Sequence, residues 1–315
     1  MKLNTKKNIA AIITIAISLL LPSSAFAANP AACTKNADGE ITSTADCITT
    51  PDTLKLKMNH IYMCYSKPRA PTTSLASNQS NSANRGVCTR QLWPTPVNRN
   101  TTEFTIENGI SNSLSSAGGG FRGVVGKQNF THFTVYLDSY FKMKSKQKFD
   151  RTMTASGGGS GHWCWTKNTS KYTKRDTGDT VIECGTEAQA NAGVGELTAT
   201  FNAIGDSTGE SHSYTIDAAT INAYLINNSA KLVPSIAPNV SNNVSEILAH
   251  VTLPTGTYME SCRNNRKGTK SVSLQWKVSE ALEWKIDTGN TNQVNDVAPS
   301  EFYMQIIPRN GGTCH

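Results

Sequence analysis

The sequence predicts an all-β chain, an antiparallel β-sandwich or jelly-roll-like fold stapled by disulfides. Three observations predict it. Short segments alternate apolar and polar residues; the stretches between them are polar and rich in turn formers, with almost no amphipathic helix; and eight cysteines follow an export-like leader.

The clearest alternation is Thr131 to Lys144. Phe133, Val135, Leu137, Phe141 and Met143 share one parity, whereas His132, Thr134, Asp138, Lys142 and Lys144 share the other. That is the period of a strand with one buried face, and its length places it at the centre of a sheet.

The leader comes first in chain order. Met1 to Lys7 is cationic, Ile9 to Leu21 is apolar, and Ala25-Phe26-Ala27 presents small residues two apart, the order of a secretory signal peptide over residues 1–27. The apolar run is shorter than the roughly 20 residues of a spanning helix, so the mature chain carries no expected transmembrane segment. Residues 28–52 are poor in apolar side chains and bounded by Cys33 and Cys47. They read as a disulfide-closed loop or arm outside the main core.

A main β-sandwich is expected over residues 53–226. Leu54, Leu56 and Met58 alternate with Lys55, Lys57 and Asn59, and the change of parity at His60-Ile61 suggests a bulge or a switch between faces. Ser66 to Gly86 reads as a surface loop, and Phe104 and Ile106 mark a short strand. Phe149 to Thr154 reads as the hairpin partner of the central strand, with His162-Trp163-Cys164-Trp165 next as a short aromatic strand. A strand is expected within Val194 to Ile204, and a short helix over Ala218 to Leu225 with Asp217 as its N-cap.

Residues 227–245 contain Pro234 and Pro238 among Asn and Ser, and read as a linker or crossing loop. Beyond it, Ile247–Leu253, Ser271–Val278, Leu282–Ile286 and Phe302–Ile307 alternate again. This region, 246–315, either completes the sandwich or forms a second small domain. An even cysteine count in an exported chain reads as a disulfide framework, and nearest neighbours give Cys33–Cys47, Cys64–Cys88, Cys164–Cys184 and Cys262–Cys314. The absence of Cys-x-x-Cys pairs argues against zinc.

The formal charge is +7, of which Lys2, Lys6 and Lys7 lie in the leader, leaving +4 on the mature chain. So mild a balance argues against nucleic acid as a partner. Gly205-Asp206-Ser207-Thr208-Gly209 matches the serine-hydrolase turn, with His212 or His250 as the available base, but that turn needs a helix behind it, and Glu210 to Ile216 looks like a strand. Gly118 to Gly126 lacks the glycine spacing and the Ser or Thr of a phosphate loop. Asp287 to Asn292 offers oxygen ligands without the EF-hand pattern, so an Asx-type turn is expected there. Neither a cofactor nor a metal is called for.

One surface stands out. Trp163, Trp165, Lys171, Tyr172 and Lys174 lie close in sequence beside Cys164 and Cys184, and aromatic faces stack on sugar rings while cations attract acidic groups. The competing assignment puts one tryptophan in the core. The expected role is a non-enzymatic structural or adhesive protein of the periplasm or cell surface, with self-association through strand pairing into an extracellular filament as one form of it. The alternatives are a secreted glycan-binding module and a secreted serine hydrolase built on Ser207.

Overall fold

The computed structural model describes residues 30–74, 76, 87–93, 103–106, 111–113, 129–173, 181–204, 211–216, 219–233, 243–254, 259–260, 267–268, 271–300, 303–309 and 312–313. The leader, Ser207, Lys174 and the Cys262–Cys314 pair lie outside them.

The first strands are β1 (Cys47–Thr49), β2 (Thr53–Cys64), β3 (Cys88–Trp93), β4 (Glu103–Ile106), β5 (Ser111–Ser113) and β6 (Asn129–Phe130). The middle of the chain gives β7 (His132–Lys144), β8 (Lys146–Ala155), β9 (Ser160–Thr166), β10 (Thr169–Tyr172) and β11 (Ile182–Gly185). A helix, α1 (Glu187–Gly193), precedes β12 (Leu197–Thr200), β13 (Ser211–Ile216), β14 (Ala219–Ile226) and β15 (Glu246–Thr252). The last elements are β16 (Met259–Glu260), β17 (Lys267–Gly268), β18 (Ser271–Lys277), β19 (Leu282–Ile286), β20 (Gln293–Pro299), β21 (Tyr303–Arg309) and β22 (Gly312–Thr313).

Two large sheets carry the fold. One has six strands in the order β1-β19-β20-β8-β9-β11; the other runs β10-β12-β7-β15-β14-β13, with β2 on the remaining edge of β7 and β3 and β4 on β2. Pairing is antiparallel apart from β10 with β12 and a two-residue contact of β20 with β8. Neither sheet closes on itself among the described strands. The all-β, disulfide-stapled expectation holds.

β7 is the central strand its alternation predicts. Along one edge it pairs with β2 from His132 to Lys144; along the other, β15 takes His132 to Asp138 and β12 takes Tyr140 to Met143. Phe133, Val135, Leu137, Phe141 and Met143 point into one cluster with Leu54, Leu56, Met58, Ile61 and Met63 of β2. Against β7 the register of β2 shifts between Leu56 and His60, just before the His60-Ile61 step where the change of parity had pointed. The same cluster takes Phe149, Trp284, Val294 and Val297 from the six-stranded sheet, so it fills the space between the two sheets. Residues on both sides of the expected break at 227–245 contribute to it, because β15 lies between β14 and β7.

Three expectations are corrected. β8 is not the hairpin partner of β7. At Ser145, fully buried, the chain leaves one sheet and enters the other. Thr166 holds that step, its hydroxyl oxygen accepting from the Ser145 N–H (3.1 Å) and its own N–H donating to the Ser145 carbonyl (2.9 Å). Sequence adjacency suggested a hairpin, but a single connecting residue is too short to fold a strand back on itself and long enough to change sheets.

Second, Ala219 to Leu225 are strand, not helix; Asp217 and Ala218 lie outside the described residues. Ile221 and Leu225 are buried on one parity, and Ala219 to Tyr224 pair with β13 on one side, while Thr220 to Ile226 pair with β15 on the other. The helix lies instead at α1, where Thr186 and Gln189 form a capping box. Third, the N-terminal segment is no detached arm. β1 pairs with β19, Ile41 is fully buried and bridges Phe149, and the Trp284 indole N–H donates to Thr49 Oγ1 at 3.0 Å.

Three of the four expected disulfides fall within the described residues, and all three are formed: Cys33–Cys47, Cys64–Cys88 and Cys164–Cys184. Their Cα separations are 4.8, 3.9 and 4.1 Å. Each closes a short loop and limits the unfolded chain by about 2–4 kcal/mol. The last two join directly facing residues of neighbouring strands.

Trp284 ties β19 to the N-terminal segment, which gives the first prediction. Trp284→Ala is expected to lower unfolding stability by about 3–5 kcal/mol through the cavity it leaves. Thr49→Val, which strands the buried indole N–H, should cost about 1–3 kcal/mol. Urea denaturation of both variants checks this.

Candidate functional site

The face of the six-stranded sheet turned away from the core is built from two cross-strand rows. Lys148, Trp163 and Gly185 face one another across β8, β9 and β11, and Lys146, Trp165 and Glu183 form the adjacent row. α1 lies over the second row. Its one buried residue is Ala190, and the Trp165 ring approaches so near that a side-chain carbon at Gly193 would stand 2.9 Å from the indole nitrogen. Trp165 is therefore 2% exposed and serves as the seat of the helix.

Trp163 sits just beyond the cap of α1 and stays half-buried. It lines a cleft of about 450 Å³, together with Glu40, Lys148, Gly161, His162, Gly185, Thr186 and Glu187. Glycines 161 and 185 form one wall because the backbones there touch: a side-chain carbon at Gly161 would lie 2.1 Å from the Gly185 carbonyl oxygen. On its β11 side the Trp163 indole thus faces a residue without a side chain.

Charged groups ring that face. Lys146 Nζ stands 5.8 Å from the Trp163 ring centre, a cation–π contact, and also donates to Asn191 Oδ1 of α1. The Lys148 ammonium lies 2.7 Å from Glu40 Oε1, and Asn36 Nδ2 donates to Glu40 Oε2 at 2.8 Å. Lys148 first and Asn36 second hold the Glu40 carboxyl below the usual carboxylate range, and Glu40 in turn raises Lys148. Opposite His162 the β8–β9 ladder is interrupted between Lys148 and Met153. The imidazole reaches into that gap, its Nδ1–H donating to the Phe149 carbonyl at 3.1 Å.

Of the residues the sequence singled out, only Trp163 lines this cleft, with His162 beside it. Trp165 is packed under α1, and the Lys171 side chain is fully shielded in an ion pair with Asp296, so neither can meet a ligand from solvent. Tyr172 is half-buried on β10, which belongs to the other sheet, and Lys174 lies outside the described residues. Glu40, Lys148, Thr186 and Glu187 were missed, because they reach Trp163 through strand pairing and the docked N-terminal segment. Only the Thr186-x-x-Gln189 pattern could have signalled the helix end from sequence.

Of the serine-hydrolase residues, Ser207 lies outside the described residues. The element after Gly209 is β13, a strand, where a nucleophile elbow needs a helix. His250 lies on β15 on the other sheet, 2% exposed, opposite Asn222 and Thr134. The Tyr224 ring meets it edge-on at 5.3 Å, and neither ring nitrogen has a hydrogen-bond partner among the described residues. Burial, with Lys67 and His132 in support, pushes the imidazole down to about 4 from its ordinary 6.5. The Asp287–Asn292 segment adopts the expected Asx-type turn, Gly289 N–H donating to Asp287 Oδ1 at 2.8 Å. No group of three or more metal-ligating side chains occurs among the described residues.

Because the unfolded state takes up the His250 proton near 6.5 and the folded state only near 4, stability falls as pH drops through that window. The expected loss is about 3 kcal/mol. His250→Leu should flatten that slope relative to wild type. The difference between the two isolates the imidazole from Asp52 and Glu283, whose carboxyls burial pushes up. Denaturant unfolding at a series of pH values measures it.

Compared with known proteins, the chain matches no family model, no curated protein and no solved structure.

Proposed function

We propose that this chain is an exported, non-enzymatic adhesive or structural protein of the periplasm or cell surface, and that it holds its target by binding a saccharide in the Trp163 cleft. The observation that carries the reading is the half-exposed Trp163 ring, set on a glycine-lined wall and ringed by Glu40, Lys148, Thr186 and Glu187. The C–H face of a pyranose stacks on such a ring, and its hydroxyl groups find both donors and acceptors at the rim. The Glu40–Lys148 pair is already formed, so little side-chain freedom is lost when a ligand docks. Three disulfides support an oxidising compartment. No helix among the described residues is long and apolar enough to cross a membrane.

Self-association into a filament is the weaker form of the proposal, since the N-terminal segment expected to lie outside the core pairs with β19 and β8 of its own chain. The rim strand β13 is the edge that such pairing would use.

A glycan array probed with the mature protein tests the binding reading. Wild type is expected to select a subset of saccharides, and Trp163→Ala, with an unchanged far-ultraviolet circular dichroism spectrum, to lose at least about tenfold in affinity, or ~1.4 kcal/mol. Wild-type protein that selects none removes the cleft from the account.

A further inference from the structure

None of the three described disulfides joins the two large sheets. Cys64–Cys88 lies within the nine-stranded sheet, Cys164–Cys184 within the six-stranded one, and Cys33–Cys47 within the N-terminal segment that pairs with β19. One polar contact does cross between them. Lys171 sits on β10, the rim strand of the nine-stranded sheet, in register with Ala199 of β12. Its side chain is 0% exposed and ends on β20 of the other sheet, where the ammonium meets the Asp296 carboxylate and donates to the Val297 carbonyl at 3.0 Å.

A lysine in such a place is unusual, because the long stem normally lets the charge return to water. Taking that ammonium out of water costs several kcal/mol, and the Asp296 carboxylate, 19% exposed, is held against it. Groups held in this way react with effective molarities of about 10⁵–10⁸ M, enough to offset the unfavourable condensation of an amine with an acid in water.

We propose that the folded protein closes an amide bond between Lys171 Nζ and the side-chain carboxyl carbon of Asp296, joining the two sheets covalently. The Val297 N–H donates to Asp296 Oδ1 at 2.8 Å, which fixes and polarises the carboxyl group. A second carboxyl group lies on the same face. Glu283 of β19 faces Ala298, and Lys285 faces Asp296, so Glu283 lies diagonally across from Asp296 on the same face. Burial raises the Glu283 carboxyl; Asp46 and Asp296 act in the same direction, and Lys285, 3.2 Å from Oε1, acts against them.

The step balances without any outside reagent. The Lys171 ammonium passes a proton to the Asp296 carboxylate, the amine lone pair forms the C–N bond, and in the proposed route the Glu283 carboxyl gives a proton to the departing hydroxyl as the C–O bond breaks. The nitrogen then returns a proton to the Glu283 carboxylate. One water leaves, nothing is oxidised or reduced, and the residues enclosed number about as many as the 125-residue separation of the partners.

Intact-mass measurement of the reduced, folded wild-type protein tests the proposal. The mass should fall short of the sequence by one water, and a tryptic digest should yield a branched peptide joining the fragments that carry Lys171 and Asp296. Lys171→Arg, which keeps the charge pair, and Glu283→Gln should both show the full mass with an unchanged circular dichroism spectrum. A folded wild type of full mass overturns the proposal, as does a missing water located at other residues. A Glu283→Gln protein cross-linked as fully as wild type overturns the assigned proton route.

Discussion

The structure depends on one constraint: β7 must have partner strands on both edges, its pairing with β2 broken at Asp138 to Tyr140. Its thirteen residues run through the middle of a sheet, and each backbone group left unpaired there would carry the full cost of a buried polar group. Sequence alternation sets which face is apolar, but the pairing needs three other strands, β2 on one edge and β15 and β12 in tandem on the other. These come from positions 53, 246 and 197 onward, so the sheet cannot form until distant parts of the chain have met. Long-range pairing of this kind folds slowly, and the disulfides that close nearby strands reduce the entropy still to be lost.

From β7 the chain steps through Ser145 into the second sheet. That step fixes how the sheets lie, because β8 continues directly from β7 and brings Phe149 into the shared core. Thr166 holds the corner, and its hydroxyl also bonds the Gly195 carbonyl at 2.7 Å, tying the end of β9 to the approach of β12. The docked N-terminal segment completes the same sheet. Ile41 N–H donates to the Lys148 carbonyl and Asp150 N–H to the Ile41 carbonyl, so this segment extends the edge of β8 that β20 takes up further along. On the other edge the parting of β8 from β9 opens the place for His162, while the docked segment brings Glu40 to the Trp163 cleft.

Local pattern carried much of this in readable form. The strands at 53–64, 132–144, 160–166, 211–216, 246–252, 271–277, 282–286 and 303–309 follow runs whose period is two, and the three formed disulfides pair cysteines that are neighbours along the chain. What misled was the choice of partner. Phe149 to Thr154 has a strand pattern, yet nothing in it says which sheet it joins. Residues 218–225 mix helix and strand preferences, and two flanking strands decide for the strand. The segment 30–49 has few apolar residues, but Ile41, Cys47 and Ile48 are all buried, which composition alone could not reveal.

The candidate site was half legible for the same reason. Trp163 and Trp165 share a parity, and only the position of α1 makes one a seat for the helix and leaves the other at a cleft. Lys171 reads as a surface cation and becomes a link between sheets because β10 runs at the rim, facing β20. The most direct test of the central claim is native-state hydrogen exchange of β7, read by mass spectrometry under increasing denaturant. Protection of 132–144 should be the highest in the chain and be lost only with global unfolding; release of that segment while 219–226 remains protected would contradict the account.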